Sequence, residues 1–150
     1  MAMNLIVGQS GGPTAVINSS LAGVYETAKN LGVNKVYGML YGIEGLLQEK
    51  MVDLDDMLGD IMSIELLKRT PSSYLGSCRC KLPTPEQDES VYDTLFRLFD
   101  KYEIGALLYI GGNDSMDTIA KLSAYGARIR SKVRFIGVPK TIDNDLMLTD

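Results

Sequence analysis

Apolar and polar positions along the chain form blocks that predict strands and helices in turn. Short apolar runs, namely "MNLIVG", "KVYGML", "GALLYIGG" and "RFIGVP", predict buried strands. The segments "AVINSSLAGVYETAKNLG", "EQDESVYDTLFRLFDKYE" and "SMDTIAKLSAYG" carry apolar residues at helical spacing. In the first two helices the predicted inward positions are Ala15, Ile17, Leu21, Val24, Tyr25 and Ala28, then Val91, Leu95, Phe96, Leu98 and Phe99, with Gly32 near the end of the first helix. Residues 41–70 predict a loop followed by short helical pieces, and "SSYLGSCR" predicts an extended or irregular segment.

Strands that are apolar on both faces alternate with helices, and this order predicts an α/β fold. We expect a mostly parallel, Rossmann-like sheet with helices on both faces. The 150 residues suit one domain, 1–150, or two small ones. In sheets of this kind ligands bind beyond the carboxyl ends of the strands. The loops that follow the strands are therefore where we expect a site.

Composition narrows the classes of function. The net charge of −4, from 15 basic and 19 acidic residues, argues against a nucleic-acid-binding protein. No apolar run is long enough to cross a membrane, and the N-terminus reads as a strand, so we expect a cytoplasmic protein. Cys78 and Cys80 stand too close together for an unstrained disulfide, which predicts free thiols. The chain has no histidine, so proton transfer at neutral pH would fall to a carboxylate, Lys, Tyr or a partner chain.

Three strand ends carry unusual polar chemistry. The first two, "LIVGQSGGPTAVINSS" and "LLYIGGNDSMDTIAKL", share an apolar strand, a Gly-Gly pair, small polar residues and a helix. Glycine lets the backbone approach a ligand closely, and a helix N-terminus offers N–H groups to an anion. Tight strand-to-helix turns would account for either pair alone. Neither loop fits the Walker or the dinucleotide-binding pattern.

The third loop, "RFIGVPKTIDND", adds two carboxylates, a threonine and a lysine. A carboxylate here could act as a general base or stand beside a metal ion, while Lys140 and Thr141 could hold phosphate oxygens. An Asx-rich turn with a solvated lysine is the simpler alternative. Two anion-binding turns facing a base and a lysine fit phosphoryl transfer, in which positioning and charge neutralisation supply most of the catalysis.

Read together, "SGGPTAVIN", "YLGSCR", "GGNDS" and "PKTIDND" resemble the phosphofructokinase family in order and rough spacing. The resemblance covers nearly the whole chain and implies a transfer of phosphate to fructose 6-phosphate. It implies a catalytic set in which Asp143 is the base for the sugar C1 hydroxyl, Thr141 contacts the transferring phosphoryl group and Asp145 is a supporting acid. It also implies a set of donor-phosphate-binding residues, namely Gly11, Gly12, Arg79, Gly112, Asp114, Ser115 and Lys140. Without the motif around it, Arg79 would read as an exposed surface cation.

Two positions in these motifs point to pyrophosphate as the donor. Family members that use ATP resemble Gly-Gly-Asp-Gly-Ser and Pro-Gly-Thr-Ile-Asp-Asn-Asp, whereas this chain has Asp114 and Lys140 in place of glycines. A carboxylate at 114 adds bulk and negative charge where the α-phosphate of a nucleotide would lie. A lysine at 140 supplies a cation to pyrophosphate, which lacks adenosine as an anchor. Asp114 could also serve as the N-cap of the following helix.

The metal site departs from the family pattern. The resemblance implies Mg²⁺, yet Asn113 stands where many relatives have aspartate, and it can offer only a carbonyl oxygen. Asn113 or a carboxylate such as Asp143 would then be the ligand. The family's chains are also longer, so we expect an N-terminal part that lacks the sugar-phosphate contacts and is inactive alone. Family members form dimers or tetramers, so we expect a homo-oligomer with no membrane partner.

Two other functions remain open from the sequence. An ATP-dependent phosphofructokinase keeps the same acceptor and changes only the donor. A non-catalytic phosphate- or nucleotide-binding regulatory module would keep the fold, but the intact Asp143 argues against it. An unrelated doubly wound protein, of the response-regulator or dehydrogenase kind, would leave "PKTIDND" without an explanation. The phosphoryl-transfer reading requires the glycine turns near residues 11 and 111 to lie beside the acid at 143.

Overall fold

A five-stranded sheet forms the centre of the protein. The computed structural model describes residues 3–11, 15–70, 73–78 and 81–140. Its strands are β1 (Asn4–Gln9), β2 (Val36–Met39), β3 (Met51–Asp53), β4 (Ile104–Gly111) and β5 (Arg134–Pro139). They lie in the order β3-β2-β1-β4-β5. All neighbouring pairs are parallel except β2 and β3, which are antiparallel. The prediction of a mostly parallel sheet is confirmed, and β3 is an edge strand that the sequence analysis did not predict.

Helices cover both faces of this sheet, as predicted. Within the described residues they are α1 (Ala15–Asn30), α2 (Gly42–Leu47), α3 (Leu54–Leu58), α4 (Ile61–Arg69), α5 (Glu89–Lys101) and α6 (Asn113–Arg128). Apolar residues of α1, α3 and α4 share one buried cluster with Val7, Val36 and Ile110 of the sheet. Apolar residues of α2, α5 and α6 share another with Ile6, Leu107 and Tyr109. Successive strand residues point to opposite faces, so Ile6 and Val7 belong to different cores.

The amphipathic pattern places α5 against the sheet through an aromatic cluster. The ring centroid of Phe96 lies 5.3 Å from those of Phe99 and Tyr125 and 5.7 Å from that of Phe135. Leu95, Leu98 and Phe99 are buried, as predicted. Val91 is only half-buried, whereas Tyr92, which the periodicity did not select, is fully buried. Its hydroxyl donates to the Pro83 carbonyl oxygen at 2.7 Å, and this bond allows a polar group to enter the core.

The first helix also follows its sequence pattern. Ile17, Leu21, Tyr25 and Ala28 are buried, while Val24 is half-buried; the side chain of Ala15 lies outside the described set. Gly32 follows the helix with φ of +82°, and its N–H donates to the Lys29 carbonyl oxygen at 3.1 Å. This left-handed position favours glycine and ends the helix as predicted.

Three further predictions concern the segment before α5, the cysteines and the membrane. Residues 73–78 contain neither helix nor strand, as expected, and they pack beside the carboxyl ends of the strands. Cys78 is a buried free thiol, and Cys80 lies outside the described residues. None of the helices that the structure describes is long and apolar enough to span a bilayer.

Candidate functional site

The three polar loops follow strands that are neighbours in the sheet. β1 lies between β2 and β4, so the chain leaves β1 toward one side of the sheet and returns on the other. Such a reversal opens a crevice beyond the carboxyl ends of the strands. Backbone bonds hold these ends together: Ser10 N–H donates to the Ile110 carbonyl oxygen at 2.8 Å, and Lys140 N–H donates to that of Gly111 at 3.0 Å. The predicted meeting of the loops after β1, β4 and β5 is therefore present up to Lys140.

Lys140 extends across both glycine turns. A Cβ built on Gly11 would lie 3.6 Å from the Lys140 Nζ atom and 3.9 Å from the Gly112 nitrogen. A Cβ built on Gly112 would lie 3.3 Å from the Lys140 Cε atom. The structure thus brings together three of the predicted donor-phosphate residues, in an arrangement where only glycine leaves the backbone open beside an ammonium group.

Glycine is also required at the end of β4. A Cβ on Gly111 would clash with the Ser115 Oγ atom and lie 2.8 Å from the Ser10 carbonyl oxygen. Ser115 is 2% exposed and sits beneath this turn. The predicted Ser115 is therefore a buried neighbour of the Gly-Gly turn.

Helix α6 presents its N-terminus at the same edge. Gly112 is its N-cap, with φ of −89° and ψ of −153°, and no side chain caps the helix. The interpretation of Asp114 as the N-cap is wrong: the extended Gly112 is the N-cap, two residues earlier than expected, and Asp114 lies in the first turn. Asn113 and Asp114 are both exposed. A carboxylate in the first turn is favourable toward the helix dipole.

Residues 73–78 also border the site, next to Ser10 and Gly11. The sequence predicts only Arg79, which follows this segment, as a site residue. Ser10 Oγ donates to the Cys78 carbonyl oxygen at 2.9 Å, and Ser77 Oγ donates to that of Gly11 at 2.8 Å. Gly11 N–H points to the Cys78 carbonyl oxygen over 3.5 Å, a long bond that an anionic ligand could replace. Serines next to glycines at a strand end were a sequence signal for these contacts, since a short hydroxyl side chain reaches neighbouring carbonyls.

Tyr109 lies beneath the site and is buried away from its open side. It is 2% exposed, and its hydroxyl accepts from the Ile43 N–H at 3.3 Å and lies 3.8 Å from the Cys78 Sγ atom. Burial raises the pKa of Tyr109 far above its ordinary value. Its phenol therefore stays protonated at neutral pH and serves to hold the start of α2 and Cys78 in place.

Several predicted residues cannot be placed in this geometry. Gly12, Arg79, Thr141, Asp143 and Asp145 lie outside the described residues, so the catalytic set remains a prediction. For the metal, no group of three or more Asp, Glu, Cys or His side chains is found in residues 3–11, 15–70, 73–78 and 81–140. The exposed side-chain oxygen of Asn113 still fits Mg²⁺, which commonly takes one or two protein ligands and completes its shell with water and substrate phosphates. Asp143, the alternative ligand, lies outside the described residues.

A doubly wound sheet with glycine turns and a helix N-terminus at its switch point is the arrangement of α/β proteins that bind anionic ligands. The chain belongs to the phosphofructokinase family, whose model matches residues 4–150. It is 40% identical to a pyrophosphate–fructose 6-phosphate 1-phosphotransferase of Methylococcus capsulatus, over 99% of this chain and 36% of that protein. A protein of the same name from Rhodospirillum rubrum is 42% identical, over 97% of this chain and 35% of its own length.

A solved structure with the same fold also matches this chain. The crystal structure of a pyrophosphate-dependent phosphofructokinase from Nitrosospira multiformis matches with a TM-score of 0.87 and 38% identity, over 99% of this chain and 36% of that chain. The fold predicted from the sequence is therefore confirmed. The chain spans about a third of the length of the curated relatives it matches.

Proposed function

We propose that the protein carrying this chain transfers a phosphoryl group from pyrophosphate to the C1 hydroxyl of fructose 6-phosphate, giving fructose 1,6-bisphosphate. The observation that carries the proposal is the Lys140 ammonium group lying across the Gly11 and Gly112 turns at the switch point of the sheet. The names of the relatives at about 40% identity support the same donor and acceptor.

The choice of pyrophosphate over ATP rests on Asp114 and Lys140. Pyrophosphate is small and highly charged, so its affinity must come from cations and backbone N–H groups close to the phosphates. Lys140 lies beside the glycine turns, where it could meet that need. Asp114 is exposed in the first turn of α6, where its charge would oppose the additional phosphate of a nucleotide.

The proposed reaction is an in-line displacement. The C1 oxygen forms a bond to phosphorus, the bridging P–O bond of pyrophosphate breaks, and inorganic phosphate leaves. Asp143 accepts the hydroxyl proton, with Thr141 and Asp145 supporting the transferring group, and Arg79 and Lys140 neutralise phosphate charge. Bound Mg²⁺, held by the Asn113 oxygen or by a carboxylate such as Asp143, would neutralise charge on the phosphates.

Further parts of the proposal concern the whole protein. Residues 1–150 supply the donor-phosphate half of the site, and the sugar-phosphate contacts come from elsewhere in the protein. The active protein is a homo-oligomer, a dimer or tetramer, which works in glycolysis in the cytoplasm. The 150 residues alone should show no detectable transfer to fructose 6-phosphate, and turnover by the purified 150-residue chain would contradict this part.

The first experiment compares donors in the complete gene product. We expect fructose 6-phosphate to be phosphorylated with pyrophosphate and Mg²⁺ and poorly, or not at all, with ATP. Asp143→Asn should reduce the rate at least about a thousandfold while the substrates still bind, because the proton acceptor is lost. Equal rates with ATP would favour the ATP-dependent enzyme, and no transfer with either donor would favour a regulatory module.

The second experiment tests the donor gate. The double variant Asp114→Gly with Lys140→Gly should gain ATP-dependent transfer and lose affinity for pyrophosphate. Asp117→Gly is the matched control, because Asp117 is an exposed carboxylate of α6 three residues after Asp114. It pairs with Lys121 at 2.8 Å. This control should keep the donor preference of the parent protein. An unchanged preference in the double variant would refute the gate.

A further inference from the structure

Two buried amide side chains meet where β1 ends and α1 begins. Gln9 and Asn18 are both fully buried. The Gln9 Nε2 group donates to the Asn18 Oδ1 atom at 3.0 Å and to the Ile17 carbonyl oxygen at 3.3 Å. A buried amide is tolerated only where its donors and acceptors are satisfied, so this pair is held by specific partners.

The remaining groups of the pair reach the segment 73–78. The Gln9 Oε1 atom accepts from the Leu75 N–H at 2.8 Å and from the Ser73 Oγ at 3.3 Å. The Asn18 Oδ1 atom also accepts from the Tyr74 N–H at 2.9 Å. Ser73, Tyr74 and Leu75, which lie in no helix or strand, are therefore held by two side chains from the junction of β1 and α1.

Further hydrogen bonds hold the chain before and after residues 73–75. Asn18 Nδ2 donates to the Thr70 carbonyl oxygen at 2.8 Å, which fixes the end of α4. At the opposite end of the segment, Ser77 and Cys78 bind the backbone of Gly11 and the side chain of Ser10. Arg79 follows Cys78 directly in the chain. The amide pair thus lies at the buried end of a segment whose other end lies against Gly11.

We propose that Gln9 and Asn18 are positioning residues that fix the segment 73–78 against Gly11 and thereby set the affinity for pyrophosphate. The proposal rests on the proposed function, since it takes Gly11 as part of the donor site. Neither amide reaches the surface, so both would act through the backbone of Leu75 and Tyr74 and not by touching the donor.

The chain offers a matched control at the other end of β1. Asn4 is also a buried amide, 6% exposed, and its Nδ2 group donates to the Tyr102 carbonyl oxygen at 2.8 Å. It accepts from the Asn34 Nδ2 group at 3.3 Å. Replacing Asn4 removes two partly buried hydrogen bonds of an amide on the same strand, at the end away from the carboxyl edge of the sheet.

The experiment uses the complete gene product and three variants: Gln9→Met, Asn18→Leu and the control Asn4→Leu. Backbone hydrogen exchange across residues 73–78 should accelerate in the first two and stay unchanged in the control, because only these lose the acceptors of Tyr74 and Leu75. The KM for pyrophosphate should rise about tenfold in the first two, which corresponds to about 1.4 kcal/mol of binding free energy lost through the displaced segment. The kcat and the KM for fructose 6-phosphate should change less than about threefold.

Ser77→Ala provides a milder variant for the case in which a core variant does not fold. Its side chain is half-buried, and the change removes only the bond to the Gly11 carbonyl oxygen. We expect a several-fold rise in the KM for pyrophosphate. The proposal is overturned if exchange of residues 73–78 does not change, if the KM for pyrophosphate is unaltered, or if Asn4→Leu raises it equally.

The exchange measurement needs no substrate, so it separates the two ideas. If the parent protein does not use pyrophosphate, the proposed function fails and the role in donor affinity falls with it, whatever the exchange shows. If the parent protein does use pyrophosphate and the variants leave its KM unchanged, only the positioning role is refuted.

Discussion

The glycine at the β1 loop allows a test in which strain and function can be separated. Gly11 has φ of +83° and Gly32 has φ of +82°, so alanine is equally disfavoured at both. Their surroundings differ. A Cβ at Gly32 would meet nothing within 4 Å, whereas one at Gly11 would lie 3.6 Å from the Lys140 Nζ atom. Gly11→Ala and Gly32→Ala therefore impose the same backbone change, one inside the candidate site and one at the end of α1.

The expected magnitudes follow from this geometry. A left-handed alanine costs about 1–2 kcal/mol, and the reduced entropy of the unfolded chain offsets about 0.4–1 kcal/mol of this. Both variants should thus lose about 1 kcal/mol of stability. The contact at 3.6 Å is ordinary van der Waals contact and adds no clash at Gly11. The methyl group would, however, occupy the space between the glycine backbone and the lysine, and the loss of one charge-assisted contact to the donor is worth about 1.5–3 kcal/mol.

The assay pairs urea denaturation with steady-state kinetics on the complete gene product. Both variants should show the same fall in the free energy of unfolding. Gly11→Ala should raise the KM for pyrophosphate at least about tenfold, which corresponds to about 1.4 kcal/mol, and Gly32→Ala should leave it unchanged. Equal KM values in the two variants would refute the placement of the donor at Gly11. A much larger loss of stability in Gly11→Ala would contradict the open geometry described for the turn.

Three further predictions concern the scaffold. Tyr109→Phe leaves the Ile43 N–H without its acceptor and should cost about 1–2 kcal/mol in urea denaturation; a change below about 0.5 kcal/mol would show that the bond contributes nothing. Phe96→Ala removes the ring that joins α5, α6 and β5 and should cost about 3–5 kcal/mol by the same measurement; a loss below about 1 kcal/mol would count against the aromatic cluster. Partial burial acts to raise the pKa of Asp55, but the hydrogen bond from Tyr25 and the nearby lysines lower it overall. Asp55→Asn should therefore destabilise the protein by about 1 kcal/mol at pH 7. Because the carboxylate is stabilised in the folded state, the difference should be constant above about pH 5 and shrink as the pH falls below about 4; a pH-independent difference would contradict this assignment.

Most of the architecture could be predicted because its elements carry strong local patterns. β1 and β4 are mostly apolar runs, and α5 and α6 repeat apolar residues at helical spacing. β5 is also mostly apolar and was predicted as a strand, although as an edge strand its residues are half-buried or exposed, not buried as expected. The short strand β3 carried no such signal. Its three residues are half-buried, and its pairing with β2 brings Asp53 opposite Tyr37, a contact that depends on where the chain turns and not on local preference.

The site was predictable only where glycine and charge marked it. Gly11, Gly112 and Lys140 were predicted from their residue types, and the structure brings them together. The Gln9–Asn18 pair was not predicted, because a single glutamine after an apolar run is typical of the end of a strand. Its burial depends on partners more than sixty positions away, such as Leu75, which a local pattern cannot reveal.

The order of the strands has a consequence for how the protein is made. β1 pairs with β4 in a register that begins with Asn4 opposite Ile104, so the two middle strands are separated by about 100 residues of chain. A ribosome adding about 5–20 residues per second would need roughly 5–20 s to deliver the second of them. During that time β1, β2 and β3 can form only a partial sheet with the open edge of β1 exposed. The nascent chain should therefore bind general chaperones until β4 has emerged, and release from them should coincide with completion of the sheet.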